Sequence, residues 1–210
     1  MTSLPSKTGV FDCPSQWRTV GTRVFRVVGR SLAPIVLCVI ATIASAQSRV
    51  SEYDVKAAYL FNFGKFVRFT PPDAEIKRES FDICIVGDDP LGAPLDKLTA
   101  NEALDGKPVR VVRLKTAGEA RGCAIAYFGA SEGTRVKSDL EALRGQPVLT
   151  VSDAGNFLQN GGMIKFVLHE NHIRFAVNLD AVRNARLGLS SELLRVAISV
   201  NGESPAEVQP

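Results

Sequence analysis

The 210-residue chain is poor in the residues that most chemistry needs: two histidines, four cysteines and two methionines. The histidines, His169 and His172, are three apart and do not spell the helical H-E-x-x-H pattern. A zinc site wants three or four protein ligands, so this pair argues against a metal, even with Glu170 between them. No C-x-x-C occurs, which removes the commonest thiol-redox arrangement. There is no G-x-G-x-x-G and no P-loop, so nothing points to a dinucleotide or a nucleoside triphosphate. No serine is read as the nucleophile of a Ser-His-Asp set, and no cofactor is implied. Long apolar runs are also missing. The longest, Ser31 to Ala46 (SLAPIVLCVIATIASA), is about 16 residues and contains Pro34, whereas a membrane-spanning helix needs roughly 20.

What that run does fit is an export signal. Arg23, Arg26 and Arg30 precede it, and it ends in Ala44-Ser45-Ala46, an A-x-A cleavage pattern. Residues 1–46 are therefore expected to be a signal peptide, 47–200 a single α/β domain and 201–210 a flexible Pro/Glu-rich tail. Cys38 is not read as a lipidation site, because bulky Leu37 precedes it where that processing needs a small side chain. The leader also carries the basic excess. Of 25 Lys+Arg and 22 Asp+Glu, it holds Lys7, Arg18, Arg23, Arg26 and Arg30 against Asp12, leaving 20 against 21. A mature part near neutrality offers no basic face for nucleic acid. Two cysteines remain after processing, Cys84 and Cys123. In an oxidising compartment they read as one disulfide, with two buried free thiols as the alternative.

Beyond the leader, periodicity predicts a helix over Val55–Phe69 (VKAAYLFNFGKFVRF), capped by Ser51 and stopped by Pro71-Pro72. Its aromatic residues Tyr59, Phe63 and Phe66 suit a core or a ligand surface. Strands are expected at Phe81–Val86, Pro108–Leu114, Ala124–Phe128 and Pro147–Val151, with helices at Leu91–Leu98 and Gly133–Leu143. This order argues for a mostly parallel sheet flanked by helices on both faces. Met163–Leu168 and Ile173–Leu179 alternate around a short gap, which predicts a C-terminal antiparallel hairpin joined to the sheet. A last helix is expected over Ser190–Val200.

Ligands of parallel sheets sit beyond the carboxyl ends of the strands. Those ends carry Gly87-Asp88-Asp89, Gly129-Ala130-Ser131 and Ser152-Asp153. Asp88, Ser131 and Asp153, with Arg174 as a cation for a carboxylate or phosphate, are the expected ligand-binding residues. The same residues also suit ordinary turns and solvated strand faces.

Several separated blocks resemble the YfiR family (the DUF4154 domain). They are VKAAYLFNFGKFVRF, ICIVGDDPLG, Cys123 to Phe128, VLTVSDAGNF, and Gly161 to Ala197, where Gly-Gly-Met-Ile, Asn178-Leu179 and Leu189-Ser190-Ser191 match. The resemblance implies a periplasmic regulatory protein rather than an enzyme. Such a protein represses an inner-membrane diguanylate cyclase of the YfiN type through its periplasmic sensing domain, lowering cyclic di-GMP and biofilm formation. It further implies a homodimer, a small-molecule ligand and a structural Cys84–Cys123 disulfide. A second cysteine pair found in some relatives has no counterpart here: Leu158 and Lys165 occupy that region. The alternatives are a ligand-binding domain serving a histidine-kinase sensor, or a periplasmic enzyme.

Overall fold

The computed structural model describes residues 51–69 and 78–200; the leader 1–46 and the tail 201–210 lie outside the described residues. The first helix, α1 (Glu52–Phe66), starts where its caps place it. Ser51 Oγ accepts from the Asp54 N–H at 3.1 Å, and Asp54 Oδ2 accepts from the Ser51 N–H at 2.8 Å. This reciprocal box satisfies two helix-end donors at once. The helix stops at Phe66, three residues before its apolar pattern ends. Val67–Phe69 (β1) instead pairs antiparallel with Leu187–Leu189 (β9), Val67 opposite Leu189 and Phe69 opposite Leu187. A distant partner strand has overridden local periodicity, and the β-branched Val67 suits the change.

The chain then builds β2 (Phe81–Val86), α2 (Gly92–Thr99), β3 (Ala103–Leu104), β4 (Lys107–Leu114), β5 (Ile125–Phe128), α3 (Val136–Ala142) and β6 (Leu149–Ser152). A 3-10 turn, Ala117–Gly122, leads into β5. After β6 come β7 (Ile164–His169), β8 (His172–Val177), α4 (Leu179–Asn184), β9, α5 (Ser191–Val196) and β10 (Ser199–Val200). The main sheet has the order β10-β8-β7-β6-β5-β2-β4-β3. Strands β4, β2, β5, β6 and β7 run parallel, and β3 and β8 join antiparallel. The fold is therefore α/β, a mostly parallel sheet with helices on both faces and an antiparallel hairpin at its C-terminal side. Every residue of β5 and β6 is buried, as expected of parallel strands covered on both sides.

The hairpin turn is Glu170-Asn171, with φ of 48° and 59° and His169 opposite His172. Two left-handed residues in a two-residue loop are what a primed turn requires. The expected last helix is shorter than its sequence pattern. Ser190 caps it by accepting from the Leu193 N–H, and it ends at Val196. Ser199 and Val200 then add to the sheet beside Ala176 and Val177, where the outer edge of β8 would otherwise lack partners. No helix among the described residues is long and apolar enough to cross a membrane.

Each face of the sheet has its own core. On one, α1, α2, α4 and α5 bury Leu60, Phe63, Leu91, Leu95, Val182 and Leu193 against Ile83, Ile85, Ile125, Tyr127, Phe166 and Phe175. On the other, α3 and the 3-10 turn bury Val136, Leu140, Ala117 and Ala120 against Cys84, Val86, Ala126, Phe128 and Phe157. Cys84 and Cys123 are bonded there with Cα atoms 6.1 Å apart, tying β2 to the residue that enters β5.

Candidate functional site

Three loops meet at the carboxyl ends of β2, β5 and β6. Asp88 and Ser131 touch directly: the Asp88 N–H donates to Ser131 Oγ at 3.0 Å, and the Ser131 hydroxyl donates to Glu132 Oε1 at 3.2 Å. The approach is close enough to demand glycine on both sides. A Cβ at Gly129 would stand 2.3 Å from the Asp88 carbonyl oxygen, and one at Gly87, where φ is +79°, would stand 2.5 Å from Ser131 Oγ. Both Asp88 and Ser131 are thus engaged in locking two turns together. Neighbouring Asp89 is also engaged: its Oδ1 accepts from the Leu91 and Gly92 N–H groups, and its Oδ2 meets Arg113 at 2.7 Å.

Beneath these turns, Glu132 is buried and held by Arg135 through two bonds of 2.8 Å. Burial pushes the Glu132 carboxyl up, but the Arg135 guanidinium more than offsets this and leaves it below the usual range. Asp139, in the first turn of α3, goes the other way: burial and then the charge of Glu132 raise it.

Asp153 lies elsewhere on the same rim, in a cleft of about 580 Å³. Its walls include Glu52 and Lys56 from α1, Asn156 and Asn160 from the loop after β6, and Phe166 from β7. Lys56 is only 4% exposed, and its Nζ donates to Asp153 Oδ2 at 2.7 Å and Glu52 Oε1 at 2.6 Å. Burial pulls its ammonium down, and the two carboxylates outweigh that, so Lys56 stays charged with a raised pKa. Tyr127 is fully buried, and its hydroxyl faces the Asp153 carboxylate. Burial first, and the nearby Asp153 charge second, hold that hydroxyl protonated.

Arg174 stands apart. It is exposed on β8 opposite Val167 and borders a smaller groove with Tyr59, Leu168 and His172. The sheet end therefore brings together Asp88 and Ser131, places Asp153 elsewhere on the same rim, and leaves Arg174 out. Lys56 was missed by the sequence reading. The one local sign of it was the Glu52/Lys56 spacing of four, since Asp153 lies 97 residues away.

Residues 129–133 (GASEG) also have the G-x-S-x-G spacing of a hydrolase elbow, which the sequence reading passed over. The geometry differs from an elbow. Ser131 sits in a 3-10 turn without positive φ, and its hydrogen bonds go to Asp88 and Glu132. His172 Nδ1 lies against the Glu170 carbonyl at 2.7 Å, at the hairpin tip. Among the described residues, no three His, Cys, Asp or Glu side chains gather as a metal site would need. The arrangement suits binding through charge and shape.

No curated protein matches the chain. Among solved structures, it is similar to a conserved domain protein from Vibrio cholerae O1 biovar El Tor strain N16961, with a TM-score of 0.49 and 10% identity. That match covers 71% of this chain and 60% of the other, so the chain spans about 60% of the length of the solved structure it matches. The model of the YfiR/HmsC-like family, DUF4154, matches residues 53–198, from the first turn of α1 to the approach to β10. With more than half of its length under that match, the chain belongs to the YfiR/HmsC-like family.

Proposed function

We propose that this protein is a periplasmic repressor that docks on the periplasmic sensing domain of an inner-membrane diguanylate cyclase. The family is one of periplasmic regulators of cyclic di-GMP signalling, and membership over residues 53–198 is the observation that carries the reading. Residues 1–46 direct export and are removed. The working form is a homodimer, and the tail 201–210 is flexible. Docking lowers cyclic di-GMP by binding the inactive state of the cyclase more tightly than the active one; a repressor shifts the equilibrium only by that difference. The protein acts by binding rather than catalysis. The separate engagements of Ser131 and His172 support this. A small ligand at the rim, where Asp88, Ser131 and Asp153 stand, tunes the docking, with Arg174 on the neighbouring groove contacting ligand or partner.

Deletion of the gene is expected to raise cyclic di-GMP several-fold, and crosslinking in membranes should recover a cyclase. Unchanged cyclic di-GMP together with recovery of a histidine kinase would replace the cyclase with that sensor. Unchanged levels and no membrane protein recovered would end the repressor reading.

A further inference from the structure

The two edges of the main sheet are finished differently. At one, β10 continues the sheet beside β8. At the other, β3 covers only the start of β4. It pairs with Lys107 and Pro108, and the Val109 N–H then donates to the Glu102 carbonyl at 2.9 Å. From Arg110 to Leu114 the outer side of β4 has no partner strand among the described residues. Successive residues of a strand aim their backbone groups to opposite sides. Val109 bonds outward, whereas the Leu114 carbonyl accepts from Gly87 on the β2 side. Val111 and Arg113 therefore hold their N–H and C=O groups out at the open edge.

Open edges are normally guarded by charge, proline or a bulge. Here the charged guards are neutralised. Arg110 is held by both Asp82 oxygens at 2.9 and 2.8 Å, and Arg113 reaches Asp89 at 2.7 Å and Asp96 at 2.9 Å. Between them lie two half-buried valines, Val111 and Val112, which suit a pleated surface. An acidic peptide gains little from cations already paired. A second copy of the strand fits better. Run antiparallel about a two-fold axis at Val112, it sets Val112 opposite the partner's Val112, Val111 opposite the partner's Arg113 and Arg110 opposite the partner's Leu114. Every arginine then meets an apolar residue. The free groups of Val111 and Arg113 make four hydrogen bonds across the axis. Because β4 ends at Leu114, the pairing stops short of Glu102. An axis at Val111 instead would call on the Val109 N–H, which Glu102 already holds, and would bring Lys107 opposite the partner's Lys115. An axis at Arg110 or Arg113 sets arginine on arginine.

We propose that β4 is the dimer surface: two copies join edge to edge through antiparallel β4 strands, with the two-fold axis at Val112, and form one continuous sheet. The inference rests on the homodimer in the function proposed above and names its surface. It does not depend on the membrane partner, so a failed repression assay leaves it standing.

Analytical ultracentrifugation of the protein as the cell exports it should give a dimer. Amide exchange followed by NMR should find the Val111 and Arg113 N–H groups protected in the dimer and fast once dilution yields monomer. Val111→Pro removes two of the four bonds and should raise the dissociation constant about tenfold or more. It should keep the circular-dichroism spectrum, because the Val111 N–H faces outward and proline is tolerated at such edge positions. Val112→Lys, which sets like charges opposite each other at the axis, should also weaken the dimer. If Val111→Pro does not fold, amide exchange in the unaltered protein decides the matter. A dimer unmoved by Val111→Pro, or Val111 and Arg113 amides that exchange as fast in the dimer as in the monomer, would overturn this surface and leave the homodimer. A monomer at every concentration would overturn both.

Discussion

The two faces of the sheet solve the same problem with different materials. The α1 face is filled by large rings: Phe63 lies 5.1 Å from Phe175 and 5.8 Å from Phe166, centroid to centroid, and Tyr59 stacks beside it. The α3 face is built largely from small residues, Cys84, Ala117, Ala120, Ala126 and Val148, with Phe128 and Phe157 as its rings. Small side chains bury little apolar area, so that face gains less from the hydrophobic effect. A covalent bridge is placed where the apolar volume is thin.

The contrast is broken most severely on the aromatic side. Phe63→Ala empties a fully buried ring site and should cost about 3–5 kcal/mol. Denaturant titration measures it, and a loss below about 1 kcal/mol would mean the face can collapse around the gap. On the other side, Cys84→Ser should cost about 2–4 kcal/mol through lost loop closure over the 39-residue separation. Reductant should lower the stability of the native chain and leave the variant unchanged. Because the sheet separates the two sites, the two losses should add within about 0.5 kcal/mol. A larger coupling would show that the faces are one core.

Gly129→Ala probes the junction of the turns, with its Cβ forced to 2.3 Å from the Asp88 carbonyl oxygen. Overpacking of this kind costs about 1–3 kcal/mol. The smallest effect has the opposite sign. Asp139 has a raised pKa from burial and the Glu132 charge, so its ionised form opposes folding at neutral pH. Asp139→Asn should raise the melting temperature by about 1–3 °C at pH 7. The gain should disappear as pH falls through the raised Asp139 pKa toward the usual value near 3.9, where the native carboxyl is protonated anyway. A gain that persists in acid would assign the effect to packing.

Much of this organisation was legible in the residues. Short β-prone runs marked β2, β5 and β6, the Ser51 cap marked α1, and the alternation around Glu170-Asn171 marked the hairpin. What escaped were elements defined by distant partners. β1 and β9 exist because they pair with each other, and β10 exists because β8 had an open edge. No local pattern encodes such pairings. The α4 helix, six residues long, is too short to show a period. The site divides in the same way. Its rim could be read from the strand ends, since turn residues cluster there. Lys56 could not, because a lysine on a helix reads as solvated until Asp153 arrives from across the fold.

The distance between α1 and its aromatic partners also sets a timetable. Phe63 is made early, and the Phe166 and Phe175 rings that cover it follow roughly 100 residues later. At synthesis rates of about 5–20 residues per second, the sticky face of α1 waits on the order of 5–20 s for its cover. The Cys84–Cys123 bond, by contrast, has both partners in hand before β7 exists. Any factor that guards the nascent chain must therefore hold its first helix longest.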